Sequence, residues 1–139
     1  MDPRSALISC PEIAPLFEEL VRVWVARILL VRHLNRYGSS MSRSMVAQIG
    51  REISILTRYA MNLLANLLEE ARASCRQELP RIYELLDELG LDTSMAIPVR
   101  ITKRTRQAAK KIVERVLGDA DPLKILARLE TKRARVFSA

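Results

Sequence analysis

Residues 32–58, RHLNRYGSSMSRSMVAQIGREISILTR, carry five arginines, the only histidine of the chain and a single carboxylate. More widely, six arginines and no Asp or Glu lie between Glu19 and Glu52, in a chain that contains 16 acids. A guanidinium presents a planar fork of donors that matches two phosphate oxygens at once, whereas a lysine ammonium acts as a point charge. The chain has 18 Arg against 5 Lys and a formal charge of +7. A codon bias toward arginine would raise that ratio, but it would not gather the cations into blocks. Residues 93–113 form a second block, with six cations and no acid, while residues 69–92 hold seven acids against three arginines. Cationic blocks of this kind suit a polyanion gripped by its backbone, with binding indifferent to sequence and sensitive to salt.

Other chemistries lack their residues. His33 stands beside Arg32 with no cysteine near it, and Glu69, Glu70, Glu78, Glu84, Asp87 and Glu88 have no histidine partner. Neither a Gly-rich phosphate loop, a Walker motif, HExxH, GxSxG nor an EF-hand loop occurs. The expectation is a non-enzymatic protein with no catalytic residues, no cofactor and no metal. Cys10 and Cys75 are isolated, which argues against a disulfide framework or a zinc site and leaves a single bridge between them open. The N-terminus lacks the basic-then-apolar pattern of a signal peptide. The apolar run at 20–31, LVRVWVARILLV, holds two arginines and is shorter than the ~20 residues a bilayer span needs, so it is expected to pack in a soluble protein.

Helices must position the cations. At 139 residues, half of them apolar but few aromatic, the chain is long enough for one core and reads as all-α. A first helix is expected over 12–37, with Glu18 and Glu19 early, Arg32 and Arg36 late, and Gly38 just beyond. Ser39, Ser40 and Ser42 offer caps for a second helix over 41–77, antiparallel to the first. Pro80 opens a third at 80–89 and Gly90 stops it. Residues 91–102 form a linker, extended near 97–101 because Pro98 opposes helix. Thr102 caps a fourth helix at 103–117, ended by Gly118, and Asp121 with Pro122 starts a fifth at 122–135. Residues 1–11 make an N-terminal arm and 136–139 a tail, all within a single domain, 1–139, that has no internal repeat. Asn and Gln total only six, which fits a heat-adapted protein.

On a wheel of about 100° per residue, Arg43, Arg51, Arg58 and Arg72 of the second helix fall within about 80° of one another. Ala47, Ser54 and Ala65 share that sector, whereas Met45, Ile49, Ile53, Leu56, Leu63, Leu64 and Leu67 lie opposite. From Arg43 to Arg58 this stripe runs roughly 22 Å at 1.5 Å per residue. Small neighbours let a polymer backbone come close. The fourth helix repeats the arrangement, with Lys103, Arg104, Arg106, Lys110 and Lys111 on one side and Ala109, Ile112, Val113 and Val116 on the other. In the first helix Arg22, Arg32, His33 and Arg36 gather on one arc. Arg27 falls among apolar residues and needs a carboxylate, a carbonyl or a phosphate. Apolar side chains nearly encircle this helix, which implies that other subunits complete its burial.

A long apolar helix, a Gly/Ser break, an Arg-striped second helix and shorter basic helices resemble the major capsid proteins of filamentous, rod-shaped or thread-like archaeal double-stranded DNA viruses. The stretches that carry the resemblance are VRVWVARILLVRHLNRYGSSMSRSMVAQIGREISILTRYAMNLLANLL and VRITKRTRQAAKKIVERV. It implies an all-helical subunit, homo-oligomeric or paired with a paralogous chain, that wraps A-form duplex DNA within a virion and is intracellular before assembly. The DNA-facing positions would be Arg22, Arg27, Arg32, His33, Arg36, Ser40, Arg43, Arg51, Arg58, Arg100, Lys103, Arg104, Arg106, Lys110 and Lys111. This chain departs from the family in having only Arg4 as a cation before Glu12. A small helical subunit of a CRISPR-like nucleoprotein effector, a helical protein–protein adaptor and a protein bound to a membrane surface remain alternatives, the last being the least favoured.

Overall fold

Buried side chains at Ile49, Leu56, Leu63, Leu64, Leu67 and Ala71 recur at the three- and four-residue spacing of one helical face. That face defines the longest helix of a computed structural model that describes residues 8–96 and 99–129. The fold is all-α: two long helices and three shorter ones, with no strand among the described residues. They are α1 (Ala14–Tyr37), α2 (Arg43–Ser74), α3 (Leu79–Glu88), α4 (Lys103–Leu117) and α5 (122–129).

Local chemistry sets most of the boundaries. Pro15 occupies the first turn of α1, and the Gly38 N–H closes its end on Leu34 O. Ser42 is extended, and its hydroxyl accepts the Met45 N–H at 3.2 Å, so α2 starts at Arg43 rather than at 41. It ends at Ser74, short of the expected 77, because Cys75 leaves helical geometry and is bonded to Cys10. Pro80 lies in the first turn of α3, and Gly90 follows its end at a φ of 77° that favours glycine. Thr102 accepts the Thr105 N–H at 3.1 Å to start α4, and the Asp121 carboxylate accepts the Leu123 N–H at 3.0 Å to start α5. The expected extension of α5 to 135, the 136–139 tail, most of the 1–11 arm and the Ile97–Pro98 part of the expected extended stretch lie outside the described residues.

The first helix is central. On one side α2 runs against it, with Tyr59 reaching Glu19 and Thr57 reaching Arg27. α4 touches it through Glu114 and Arg22, and Leu123 and Leu126 of α5 lie beside Phe17 and Trp24. The Trp24 indole N–H donates to Leu89 O at 2.8 Å, which fastens the end of α3 to the middle of α1. As a result Val23, Val25 and Ala26 are fully buried within a single chain. Three helices of the same chain thus cover the first two-thirds of α1, while Ile28, Leu29, Val31 and Leu34 nearer its end stay partly exposed. Any reason for a partner has to come from the surface.

One such surface is the hairpin tip. The last turn of α4 reaches α2 at Glu52, through Arg115. The first turns of α2 project beyond that cover, so Met45, expected on the apolar side, is 53% exposed. At the opposite end, the Cys10–Cys75 bridge joins the segment before α1 to the end of α2, resolving the pairing that the sequence left open.

Candidate nucleic-acid interface

α4 lies antiparallel to α2. Just before α4, Val99 O accepts from Asn62 Nδ2 at 2.8 Å, and near its end Arg115 Nη1 meets Glu52 Oε2 at 2.5 Å. Residues between 52 and 62 of α2 therefore run alongside residues between 99 and 115. Arg58 on α2 and Arg104 and Lys111 on α4 are all exposed along this seam, while Lys110 is exposed on the α1 side of α4, one turn before Glu114. Arg51 and Arg43 continue the row toward the tip, also exposed. Between them Ala47, Gly50 and Ser54 are exposed, and a Cβ added at Gly50 would meet nothing within 4 Å. The row is thus long forks over a low floor, with room for a backbone to approach.

The seam's electrostatics depend on two acids. From residue 43 to 68 the only carboxylate is Glu52, and in α4 it is Glu114. Glu52 is 8% exposed and is held by Arg115, whose pKa is raised chiefly by that hydrogen bond. Glu114 pairs with Arg22 at 3.8 Å. Each acid is thereby matched by a cation that is not in the exposed row. Among the described residues, Arg43, Arg51, Arg58, Lys103, Arg104, Lys110 and Lys111 have no carboxylate within salt-bridge distance. Arg106 stands on the flank of α4 toward α1, where its charge opposes the rise in the pKa of Tyr59.

Three expected contact residues are differently employed. Arg22 is half-buried in its pair with Glu114. Arg27 Nε donates to Thr57 Oγ1 at 2.8 Å, and its guanidinium lies 4.7 Å from the centre of the Trp24 ring. Burial lowers its pKa. Its partners are thus a hydroxyl and an aromatic face, not the carboxylate, carbonyl or phosphate expected, because α2 presents Thr57 at that level. The Ser40 hydroxyl donates to Tyr37 O at 2.9 Å and caps the turn after α1.

The other candidates are split among three places. Arg36, His33 and Arg43 lie at the hairpin tip, with the Arg36 guanidinium 5.4 Å from the Tyr37 ring centre and the His33 ring 5.0 Å from it. Arg32 shares an open cleft with Glu88 and α5. Arg100 lies with Arg72, Glu69 and Tyr83 around a larger cleft of about 690 Å³ between α2, α3 and the linker. The α2 cations therefore converge with Arg104 and Lys111 of α4, whereas Lys103, Arg106 and Lys110 lie on the other flank of α4 and those of α1 and the linker do not join them.

The sequence offered a sign of Glu52 that was not used. It sits near 180° from Arg43 on the same wheel, inside the apolar arc, where a carboxylate has to be paired. Tyr37 and Met45 gave no comparable signal, since their exposure depends on where α4 ends. Among the described residues, Cys10, Glu12 and Cys75 form the one group of potential metal ligands, and its two sulfurs are bonded to each other. No described helix is long and apolar enough to cross a membrane. Compared with known proteins, the chain matches no family model, no curated protein and no solved structure.

Proposed function

We propose that the protein is a structural nucleoprotein subunit that polymerises on double-stranded DNA and wraps it through sequence-independent phosphate contacts. The observation that carries this reading is the α2–α4 seam. Exposed Arg and Lys line both banks, small residues lie between them, and the two neighbouring acids are taken up by Arg115 and Arg22. Duplex DNA presents one charge per about 1.7 Å of axis, so a row of forks roughly 22 Å long meets phosphates throughout its length. Small side chains suit a backbone polymer, since base reading would call for Asn, Gln and Arg aimed into a groove from a helix start. The resemblance to coats of filamentous archaeal viruses supplies the finer form of the reading, a coat of like or paralogous copies.

The test is the affinity of nucleic-acid-free protein for long random-sequence duplex across a salt series. Each neutralised phosphate contributes about 0.9 to the slope of log K against log salt. A steep slope that is the same for unrelated sequences is expected, with R58E/K111E flattening it by about 2. Folded protein that fails to bind at low salt would rule the reading out. Binding without regular filaments on long duplex, seen by electron microscopy, would keep the phosphate clamp and remove the coat.

A further inference from the structure

The Glu12 carboxylate stands against two sulfurs. Its Oε2 lies 2.9 Å from Cys10 Sγ and 3.8 Å from Cys75 Sγ. In the bridged form neither sulfur bears a hydrogen, so neither can donate to that oxygen. Among the described residues no cation lies within salt-bridge distance of Glu12 either. A negative group beside two sulfurs therefore has no use in the disulfide. It has one when the sulfurs are thiolates and a cation sits among the three.

We propose that, once the bridge is reduced, Cys10, Cys75 and Glu12 together hold one divalent cation of the zinc class. The cysteines are 65 residues apart in the chain, and Glu12 joins both only in the fold. The three ligand atoms lie within 4.8 Å of one another. Two thiolates on a tetrahedral ion, with bonds of about 2.3 Å, stand about 3.8 Å apart. Side-chain rotation supplies that separation between Cα atoms 6.3 Å apart. Sulfur ligands favour zinc and its softer analogues over magnesium or calcium, which take oxygen. Cys10 and Cys75 are buried and Glu12 is exposed, so the fourth position opens to water on the Glu12 side.

Reduction does not scatter these ligands. Cys10 O accepts from the Ile13 and Ala14 N–H groups, a turn that brings Glu12 round beside it. The Cys75 N–H donates to Ala71 O, and Cys75 O accepts the Glu78 N–H. Ser9 Oγ donates to the Glu78 carboxylate, and Ile8 and Ile13 are buried, so the two turns stay together without the S–S bond. A dithiol reductant gives two electrons and two protons to the bridge and is itself oxidised to a disulfide. The cation then displaces both thiol protons to solvent as it forms two bonds to sulfur and one to Glu12. The same two points of the chain are thus tied covalently in an oxidising medium and through a metal in a reducing one, where disulfides are rare. The site is at the end opposite the hairpin tip and shares no residue with the cationic seam.

Cadmium titration of the full-length chain, stripped of metal and reduced with a phosphine, tests this through the ultraviolet sulfur-to-cadmium absorption. One equivalent is expected to bind, and zinc should compete for the same place. The oxidised chain should give no such band. Zinc should also raise the melting temperature of the reduced chain and leave that of the oxidised chain unchanged. Glu12→Gln keeps the shape of the side chain but not its charge. It should weaken cadmium binding by at least about tenfold, since even the loss of a group supporting a metal ligand costs that much. The oxidised variant should melt as oxidised wild type does, which separates a lost ligand from a lost fold. A reduced wild type that gives no band, a band from the oxidised chain, or E12Q binding as tightly as wild type overturns the proposal.

Discussion

Tyr59 is buried between α1 and α2, with its hydroxyl donating to Glu19 Oε1 at 3.3 Å. Burial first, and then the neighbouring carboxylate, push its pKa up to about 12. An unfolded tyrosine titrates near about 10, so the neutral phenol is the form that the fold favours. Its contribution is whole below about pH 10 and is lost as pH rises through about 12. Chemical denaturation at increasing alkalinity should show stability falling across that window, and Tyr59→Phe should flatten the fall. An unchanged alkaline profile in the variant would mean that Tyr59 does not titrate with unfolding. None of this was legible in the sequence, where Tyr59 was one of three tyrosines with no assigned neighbour. Arg27 was legible as a problem but not in its solution. The wheel showed a cation among apolar side chains, yet only the level of α2 against α1 decides that Thr57 and Trp24 meet it.

At the scale of elements, the clip between Arg115 and Glu52 fixes where α4 crosses α2, and so where the two rows of cations meet. Removing one partner leaves the nearly buried Glu52 without its cation. Arg115→Ala is expected to lower stability by about 1–2 kcal/mol, less than for a deep pair because Arg115 is exposed on its outer side. Denaturant melts of the variant check this. An Arg115→Ala/Glu52→Gln double variant should regain part of the loss, because the uncompensated charge has gone. Helix boundaries were the most legible features at this scale. Ser42, Thr102 and Asp121 cap α2, α4 and α5, since a cap needs only a side-chain oxygen and an N–H two or three residues on. The end of α2 was missed because it is set from a distance, by Cys10. The two basic faces were likewise readable helix by helix. That α2 and α4 share a seam while Arg32 and Arg100 lie elsewhere follows from packing, which no single helix's pattern contains.

For the molecule as a whole, the Cys10–Cys75 bridge is the longest covalent constraint, with its partners 65 residues apart in the chain. Closing a loop of that length restricts the unfolded chain by about 4 kcal/mol in the chain-entropy picture. Reduction should therefore lower the unfolding free energy by up to about that amount, and the double variant Cys10→Ser/Cys75→Ser should behave as the reduced protein does. Equal stability with and without reductant would show that the bridge leaves the unfolded state unconstrained. The expectation that neighbouring subunits are needed to bury α1 applies at most to its last turns, where Ile28, Leu29, Val31 and Leu34 stay partly exposed. It counted apolar residues around one helix without allowing that α2, α4 and α5 could come from the same chain.

The same bridge also sets how the subunit carries a load. Everything from Cys10 to Cys75, including both long helices and the tip, hangs as a closed lasso between two bonded sulfurs. A pull on the chain on either side of that lasso passes from one sulfur to the other and leaves α1 and α2 out of the line of tension. The hairpin can then be strained by grasping it at its tip, but its own backbone cannot unravel it by being drawn out at the base.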